Sequence, residues 1–363
     1  MNIEKIIPAY KSIIWGGEKL KTHYGKDTDL SPLAESWELS FHKDGKCTLL
    51  DGRALSDVAT ADDLGKNCQG FDFFPVLVKF IDACDKLSVQ VHPADEYALA
   101  NENSLGKTEM WYIADADEGA GIYLGFKEEI SRETFERAIR ENTLTDYLKF
   151  IPVKPGESYF IPAGLAHAIC GGILIAEIQQ NSDLTYRIYD YDRVGANGKK
   201  RELHVERALD AVRSFEAEEI NAIRYSRGGE SDPECLADSE YFSVYKIALD
   251  GERTFCADRS SFHSLLCVKR KVVIEICLLC LHGSLCGSVA RIRHIGIIIN
   301  LSYSSLYNFS VFVVRNTASA VHNKGKVGFL CNGSNDVHVE HGFFLVNSMR
   351  CTKCNCKGIN PCS

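Results

Sequence analysis

The sequence predicts an all-β dominated protein, a sandwich or barrel with a few helices. Two observations carry this. Short stretches with apolar residues at every second position recur along the first 266 residues, separated by Gly- and Pro-containing turns. Only two stretches carry apolar residues at helical spacing. At 363 residues the chain has room for two domains.

The elements follow in order. Ile13-Ile14 precedes the paired glycines Gly16-Gly17, which read as a turn after a short apolar strand. Leu33–Ser40 alternates as a strand, with Glu35, Trp37 and Leu39 on one face. Phe74–Asp82 reads as a buried strand interrupted by Lys79, expected either as an edge or snorkelling lysine or as a cation in a polar cavity. In Leu87-Ser-Val-Gln-Val-His-Pro93, period-two alternation puts Leu87, Val89 and Val91 on one face and Ser88, Gln90 and His92 on the other. Thr108–Ile113 is a further strand. Ser131–Glu141 is a helix, with Ser131 as N-cap and Phe135, Ala138 and Ile139 as its apolar stripe. Strands Ser158–Pro162 and Ile173–Gln180 follow, then a second helix from His204 to Phe215. Glu240–Leu249 and Ser260–Val268 open a second β-unit.

Bulk charge narrows the function. A formal net charge of −8 argues against a general nucleic-acid binder. The start has no apolar run long enough for a secretory signal, so a cytoplasmic protein is expected.

Gln90, His92, Glu109 and His167 supply one amide oxygen, one carboxylate and two imidazoles. That mix suits a borderline divalent metal, zinc rather than magnesium because two donors are nitrogens. A lone strand histidine is more often structural, and spacing alone leaves the metal site and the structural reading open. Cys84 and Cys170 lie near in sequence and are not needed. Arg187 reads either as a substrate-binding cation or as an ion-pair partner of Asp183, Asp190 or Asp192. Lys107 reads either as a site cation or as a solvated loop charge.

Residues 1–266 resemble the type I mannose-6-phosphate isomerases (phosphomannose isomerases) in their short bacterial form. The stretches that carry the resemblance run in order: Ile14-Trp-Gly-Gly17, Ala34-Glu-Ser-Trp-Glu38, Leu77-Val-Lys79, Leu87–Pro93, Gly106-Lys-Thr-Glu-Met-Trp-Tyr112, Phe160-Ile-Pro-Ala-Gly-Leu-Ala-His167 and Glu177–Asp190. The resemblance implies a cupin (jelly-roll) β-barrel and one Zn2+ per chain, with mannose 6-phosphate and fructose 6-phosphate as substrates. It implies His92, Glu109 and His167 as zinc ligands, with Gln90 as a fourth, and Arg187, Glu177, Lys107 and Lys79 as active-site residues. The inventory suits the chemistry, since an aldose–ketose shift needs stabilisation of a developing oxyanion, a proton-transfer group and cations for a phosphate dianion. The alternatives are a non-catalytic sugar-phosphate-binding cupin and another cupin metalloenzyme, such as an iron oxygenase with two histidines and one carboxylate.

The composition then breaks. Residues 1–266 carry 30 Lys+Arg and 46 Asp+Glu, whereas residues 267–363 carry 11 and 3, with nine of the 15 cysteines and one of the nine prolines. Residues 1–230 are therefore expected to be the catalytic domain and 231–268 the start of a second, cupin-like β-domain. Residues 269–363 are expected to be an atypical tail, out of the family's reading frame from near residue 268. Within it, Cys351, Cys354, Cys356 and Cys362 are not expected to bind metal. The uncharged run Ile295–Val314 is not expected to span a membrane, given its asparagines and serines.

Overall fold

The computed structural model describes residues 6–68, 74–195, 198–213, 234–247, 252–257, 261–268, 271–281, 284–294, 337–340 and 343–347. The Cys351–Cys362 cluster and Ile295–Val314 lie outside them.

The first thirteen strands are β1 (Ile6–Ile7), β2 (Ala9–Lys11), β3 (Glu35–Leu39), β4 (Thr48–Leu49), β5 (Val76–Ala83), β6 (Val89–Val91), β7 (Glu109–Ala116), β8 (Gly121–Phe126), β9 (Leu148–Pro152), β10 (Ser158–Ile161), β11 (His167–Ile169), β12 (Ile173–Gln180) and β13 (Tyr186–Tyr189). The helices are short: α1 (Lys19–Thr22), α2 (Leu55–Val58), α3 (Ala61–Leu64), α4 (Asp95–Glu102), α5 (Arg132–Arg140) and α6 (Val205–Ala211).

The chain divides into two compact units. One comprises residues 7–48 and 73–230, and holds a six-stranded sheet of order β10-β7-β12-β5-β3-β2 and a five-stranded sheet of order β13-β6-β11-β8-β9. Every strand pair in them is antiparallel. Two-sheet packing of this kind is the cupin jelly roll that the resemblance implies. One core cluster lies between the sheets, with Trp111, Ile113, Ile81 and Ile175 from the first and Ile122, Leu124 and Ile169 from the second. A second cluster covers the outer face of the five-stranded sheet: Val89, Val91, Ala168, Tyr186 and Ile188 pack with Phe135, Ala138 and Ile139 of α5 and Ala208 and Leu209 of α6.

Local chemistry accounts for the elements and for the departures. Ser131 Oγ accepts the Thr134 N–H at 3.2 Å and caps α5 as expected. Strand β6 is shorter than its sequence pattern. Leu87 precedes it and joins the inter-sheet core, whereas Val89 and Val91 face the helices. In β3 a bulge after Trp37 sets Leu39 opposite Val78, out of register with Glu35 and Trp37. Helix α6 stops at Ala211, because Val212 is already extended. The expected turn is present, with Gly16 N donating to Ile13 O at 2.8 Å, and Gly16 and Gly17 also mark close approach. A Cβ on Gly16 would lie 2.7 Å from Ala34, and one on Gly17 2.5 Å from the Asp82 carboxylate.

The other unit comprises residues 1–6, 49–72 and 231–363. It holds β14 (Glu234–Asp238), β15 (Ser243–Ile247), β16 (Glu252–Ala257), β17 (His263–Cys267), β18 (Lys271–Leu281), β19 (Ser284–His294), β20 (Val337–Glu340) and β21 (Phe343–Asn347), in two four-stranded sheets. No helix among the described residues is long and apolar enough to cross a membrane.

Candidate active site

Strand register assembles the site. Across the six-stranded sheet, Tyr159, Trp111, Glu177, Lys79 and Trp37 stand side by side on β10, β7, β12, β5 and β3. Paired residues project to the same face, so this row and Glu109, two residues before Trp111, share one face. Across the five-stranded sheet, Arg187, Gln90 and His167 form a row on β13, β6 and β11. His92 follows Gln90 by two residues. The two rows face each other across the core.

At the centre lie His92, Glu109 and His167, all buried. His92 Nε2 is 3.6 Å from Glu109 Oε2, and His167 Nε2 is 3.5 Å from Glu109 Oε1. Each imidazole has its other nitrogen on a backbone carbonyl: His92 Nδ1 on Leu184 O at 2.8 Å, and His167 Nδ1 on Leu165 O at 2.8 Å. A carbonyl only accepts, so each Nδ1 carries the proton and each Nε2 presents a lone pair to the carboxylate. Burial holds His92 well below the usual imidazole range and His167 down at about 4, so both rings are neutral.

Lone pairs and a carboxylate facing one another at buried positions are mutually repulsive without a cation between them. His92 Nε2 and Glu109 Oε1 have no hydrogen-bond partner, and Glu109 Oε2 meets only the Lys107 ammonium, at 3.2 Å. Burial, with Glu177 nearby, pushes the Glu109 carboxyl up to about 7. Tetrahedral ligands on bonds of ~2.0–2.1 Å sit about 3.3 Å apart, close to the spacings here. The donor set therefore fits a divalent metal. Gln90 stands at the rim, its amide Nε2 3.2 Å from His167 Nε2; a half-turn of the amide would exchange its nitrogen for its oxygen.

A chain of buried charges leads away from this cluster. Lys107 Nζ is 3.2 Å from Glu109 Oε2 and 3.9 Å from Glu177 Oε1, and Lys79 Nζ is 3.0 Å from Glu177 Oε1 and 3.7 Å from Glu35 Oε2. Trp111 Nε1 donates to Glu177 Oε2 at 2.9 Å, and Trp37 Nε1 donates to Glu35 Oε2 at 2.6 Å. Burial alone would raise the Glu177 carboxyl, but the two ammoniums outweigh it and hold it below the usual range. Burial would lower Lys79, but Glu177, Glu35 and Glu109 raise it, so it stays charged.

Lys107 owes its place to Gly106, where a Cβ would lie 2.6 Å from Asp95 N. Gly106 N donates to Asp95 Oδ1 at 2.7 Å, and Lys107 N donates to Pro93 O at 3.1 Å. Only a glycine lets the Lys107–Glu109 segment dock so closely against the end of the His92 strand.

Arg187 stands apart from this charge chain. Its Nη1 donates to Glu202 O at 2.9 Å, and its buried Nε has no partner. Among the described residues it makes no ion pair; Asp190 is taken instead by Arg193 and Arg201. The sequence alternative in which Arg187 pairs with Asp183, Asp190 or Asp192 is therefore not realised.

The phosphomannose isomerase type I catalytic-domain family matches residues 3–120. The mannose-6-phosphate isomerase of Streptococcus mutans is 39% identical over 243 residues, 66% of this chain and 76% of that protein. The mannose-6-phosphate isomerase ManA of Bacillus subtilis is 37% identical over 251 residues, 67% of this chain and 78% of that protein. The chain belongs to the type I phosphomannose isomerases.

Solved structures agree. The mannose 6-phosphate isomerase from Bacillus subtilis matches with a TM-score of 0.70 at 28% identity, covering 96% of this chain and all of that one. A mannose 6-phosphate isomerase bound with zinc and yttrium shares the fold, with a TM-score of 0.59 at 15% identity, over 96% of this chain and all of that one.

In this phosphomannose isomerase family member, seven of the eight residues singled out in the sequence fall in one connected cluster: Gln90, His92, Glu109, His167, Lys107, Glu177 and Lys79. Arg187 joins it only through its register with Gln90. Lys79 is a buried residue of an interior strand, and Lys107 is buried rather than solvated. Sequence reasoning passed over the groups that orient these side chains: Trp111 on Glu177, Trp37 and Glu35 beside Lys79, and the Leu165 and Leu184 carbonyls on the two histidines. Trp111 and Glu35-Ser-Trp37 lie inside stretches that carried the resemblance. The carbonyls have no side-chain signature.

Proposed function

We propose that this chain interconverts mannose 6-phosphate and fructose 6-phosphate through a cis-enediol, with zinc held by His92, Glu109 and His167 and with Gln90 as a fourth ligand. The observation that carries the reading is the buried His92–Glu109–His167 cluster, with lone pairs turned onto a carboxylate, joined to two lysines and a second carboxylate. Bound there, zinc supplies Lewis-acid stabilisation of the charge developing on the substrate carbonyl oxygen. Glu177 Oε1 takes the C2 proton, the C2–H electron pair becomes the C1–C2 double bond, and the C1 carbonyl oxygen takes a proton from solvent water. The same carboxyl returns its proton to C1 as O2 gives its proton back to solvent and its electron pair forms the C2 carbonyl, which completes the ketose.

The two ammoniums that lower Glu177 weaken it as a base. A substrate oxygen that draws Lys107 or Lys79 away would strengthen it at the moment of need. Trp111 holds Oε2 and so leaves Oε1 for the proton. Arg187 takes negative charge of the substrate with its guanidinium.

A coupled assay for fructose 6-phosphate, run before and after chelation and with zinc content measured, tests the whole reading. Chelation is expected to abolish activity, and zinc to restore it. Full activity in metal-free protein overturns the zinc dependence; a folded, zinc-loaded and inactive protein favours a sugar-phosphate-binding cupin. For Glu177→Gln, the expected result is bound zinc with at least a hundredfold loss of proton exchange with solvent, on the order of a lost general base. Unchanged exchange removes Glu177 as the base.

All these groups precede residue 230. We propose that residues 1–230 form the catalytic domain, that 231–268 begin a second cupin-like domain, and that 269–363 are translated out of frame. The support is compositional: acids and prolines become scarce and cysteines rise at one point. Sequencing the gene around codon 268 is expected to reveal a one- or two-base shift whose correction restores an acidic, proline-bearing tail. If no such shift exists, the frame reading is wrong.

A further inference from the structure

Arg187 lies on β13, the edge strand of the five-stranded sheet. On one side it pairs in register with Gln90. On the other, both of its backbone groups would face an open sheet edge. His204 closes that edge. His204 N donates to Arg187 O at 2.8 Å, and the Arg187 N–H donates to His204 Nδ1 at 3.2 Å. One residue thus imitates a neighbouring strand, its ring nitrogen standing in for a carbonyl. Two residues earlier, Glu202 O accepts from Arg187 Nη1 at 2.9 Å. The segment 202–204 therefore holds both the backbone and the guanidinium of Arg187.

That segment is itself clamped. Arg201 grips Asp190 with two nitrogens, Nε to Oδ2 at 2.7 Å and Nη2 to Oδ1, and Arg193 Nη2 adds a bond to Oδ1 at 2.6 Å. Asp190 follows β13 directly, so the chain leaves the strand and is pinned back beside it. The His204 ring packs near Tyr186, with centroids 6.3 Å apart. To accept the Arg187 N–H, Nδ1 must carry a lone pair. Burial and the neighbouring Arg187 charge favour the neutral ring that has one.

We propose that His204 is a positioning residue for Arg187: its Nδ1 acceptor locks the edge of β13, so that the guanidinium, with its unpartnered Nε, is presented at a set place. This rests on the reading of Arg187 as a substrate-charge residue, and the test separates the two. His204 touches neither substrate nor metal ligand in this scheme. Its effect passes wholly through Arg187.

The experiment compares four variants in the coupled isomerase assay, with zinc content and thermal unfolding measured for each. His204→Phe keeps the ring and removes the acceptor. His204→Asn replaces Nδ1 with an amide oxygen. Arg187→Ala and Arg187→Ala/His204→Phe complete a double-mutant cycle. His204→Phe is expected to lose about tenfold in kcat/KM, in line with a misplaced charge-binding group, at parental zinc content. His204→Asn is expected to recover most of that loss. The double variant should be no slower than Arg187→Ala alone. Fully additive losses, or a His204→Phe enzyme at the parental rate, overturn the positioning role. An Arg187→Ala enzyme at the parental rate overturns the Arg187 reading beneath it, and the proposal falls with it. Should His204→Phe not fold, His204→Ala takes its place in the same cycle.

Discussion

Glu177 shows how single contacts define this site. Its two oxygens have different duties: Oε2 is fixed by Trp111 Nε1, and Oε1 faces Lys79 and Lys107. Trp111→Phe should remove only the donor and a little volume. A buried acceptor left without its partner costs roughly 1–3 kcal/mol, so the variant should unfold at lower urea. An unchanged midpoint would show that the bond contributes nothing. Glu109 is the corresponding case for the metal. Glu109→Gln keeps the shape but removes the only anionic donor of the cluster, and zinc affinity by competition titration should fall at least tenfold. The sequence marked both glutamates as polar residues at strand positions, yet it could not say which oxygen meets which group. Those assignments depend on partners brought together from neighbouring strands, Trp111 lying 66 residues from Glu177 in the chain.

At the scale of elements, bulges and clamps set the side chains. The bulge in β3 places Glu38 at a buried position, where Lys26 Nζ meets Glu38 Oε1 at 2.6 Å with both side chains almost wholly covered. Lys26→Met would strand a buried carboxylate and should destabilise the protein by about 3–5 kcal/mol, whereas Lys26→Met/Glu38→Leu should be close to neutral. Chemical denaturation of the two variants checks this; equal losses would contradict the pairing argument. The clamp after β13 gives a pH signature. Burial tends to raise the Asp190 carboxyl, but hydrogen bonds from Arg201 and Arg193 outweigh it and hold it below the ordinary range. A carboxyl whose folded pKa is depressed contributes stability above its unfolded value, near ~3.9, and loses it as the pH falls through the folded value. Asp190→Asn should therefore be less stable than the parent at neutral pH, and the gap in Tm should close as the pH drops below about 4. A gap that persists at pH 2 would assign the difference to packing.

For the whole molecule, the His92–Glu109–His167 cluster joins the two sheets of the first unit. Glu109 comes from the six-stranded sheet, while His167 lies on the five-stranded sheet and His92 just past its strand β6. A ligand that binds only this folded arrangement stabilises it by about 2.7 kcal/mol at a hundred times its Kd. For a unit of this size that corresponds to a Tm shift of roughly 5–10 °C. Zinc added to stripped protein should raise Tm by that order in differential scanning fluorimetry, and Glu109→Gln should not respond. A parental protein indifferent to zinc would sink the metal reading.

The sequence by itself determined the sheet-dominated class, the family, the chemistry-bearing side chains and the compositional break near residue 268. These follow from local causes: period-two patterning, turn chemistry, and motifs long enough to be specific. Only the tertiary structure decided how those residues meet. It turned the histidine lone pairs onto Glu109 by way of two backbone carbonyls. It buried Lys79 and Lys107 in a charge relay that the sequence left open between solvent and cavity, and it held Arg187 away from its acidic neighbours. The reason is that antiparallel register and sheet stacking set these distances between strands far apart in the chain, where local pattern carries no information.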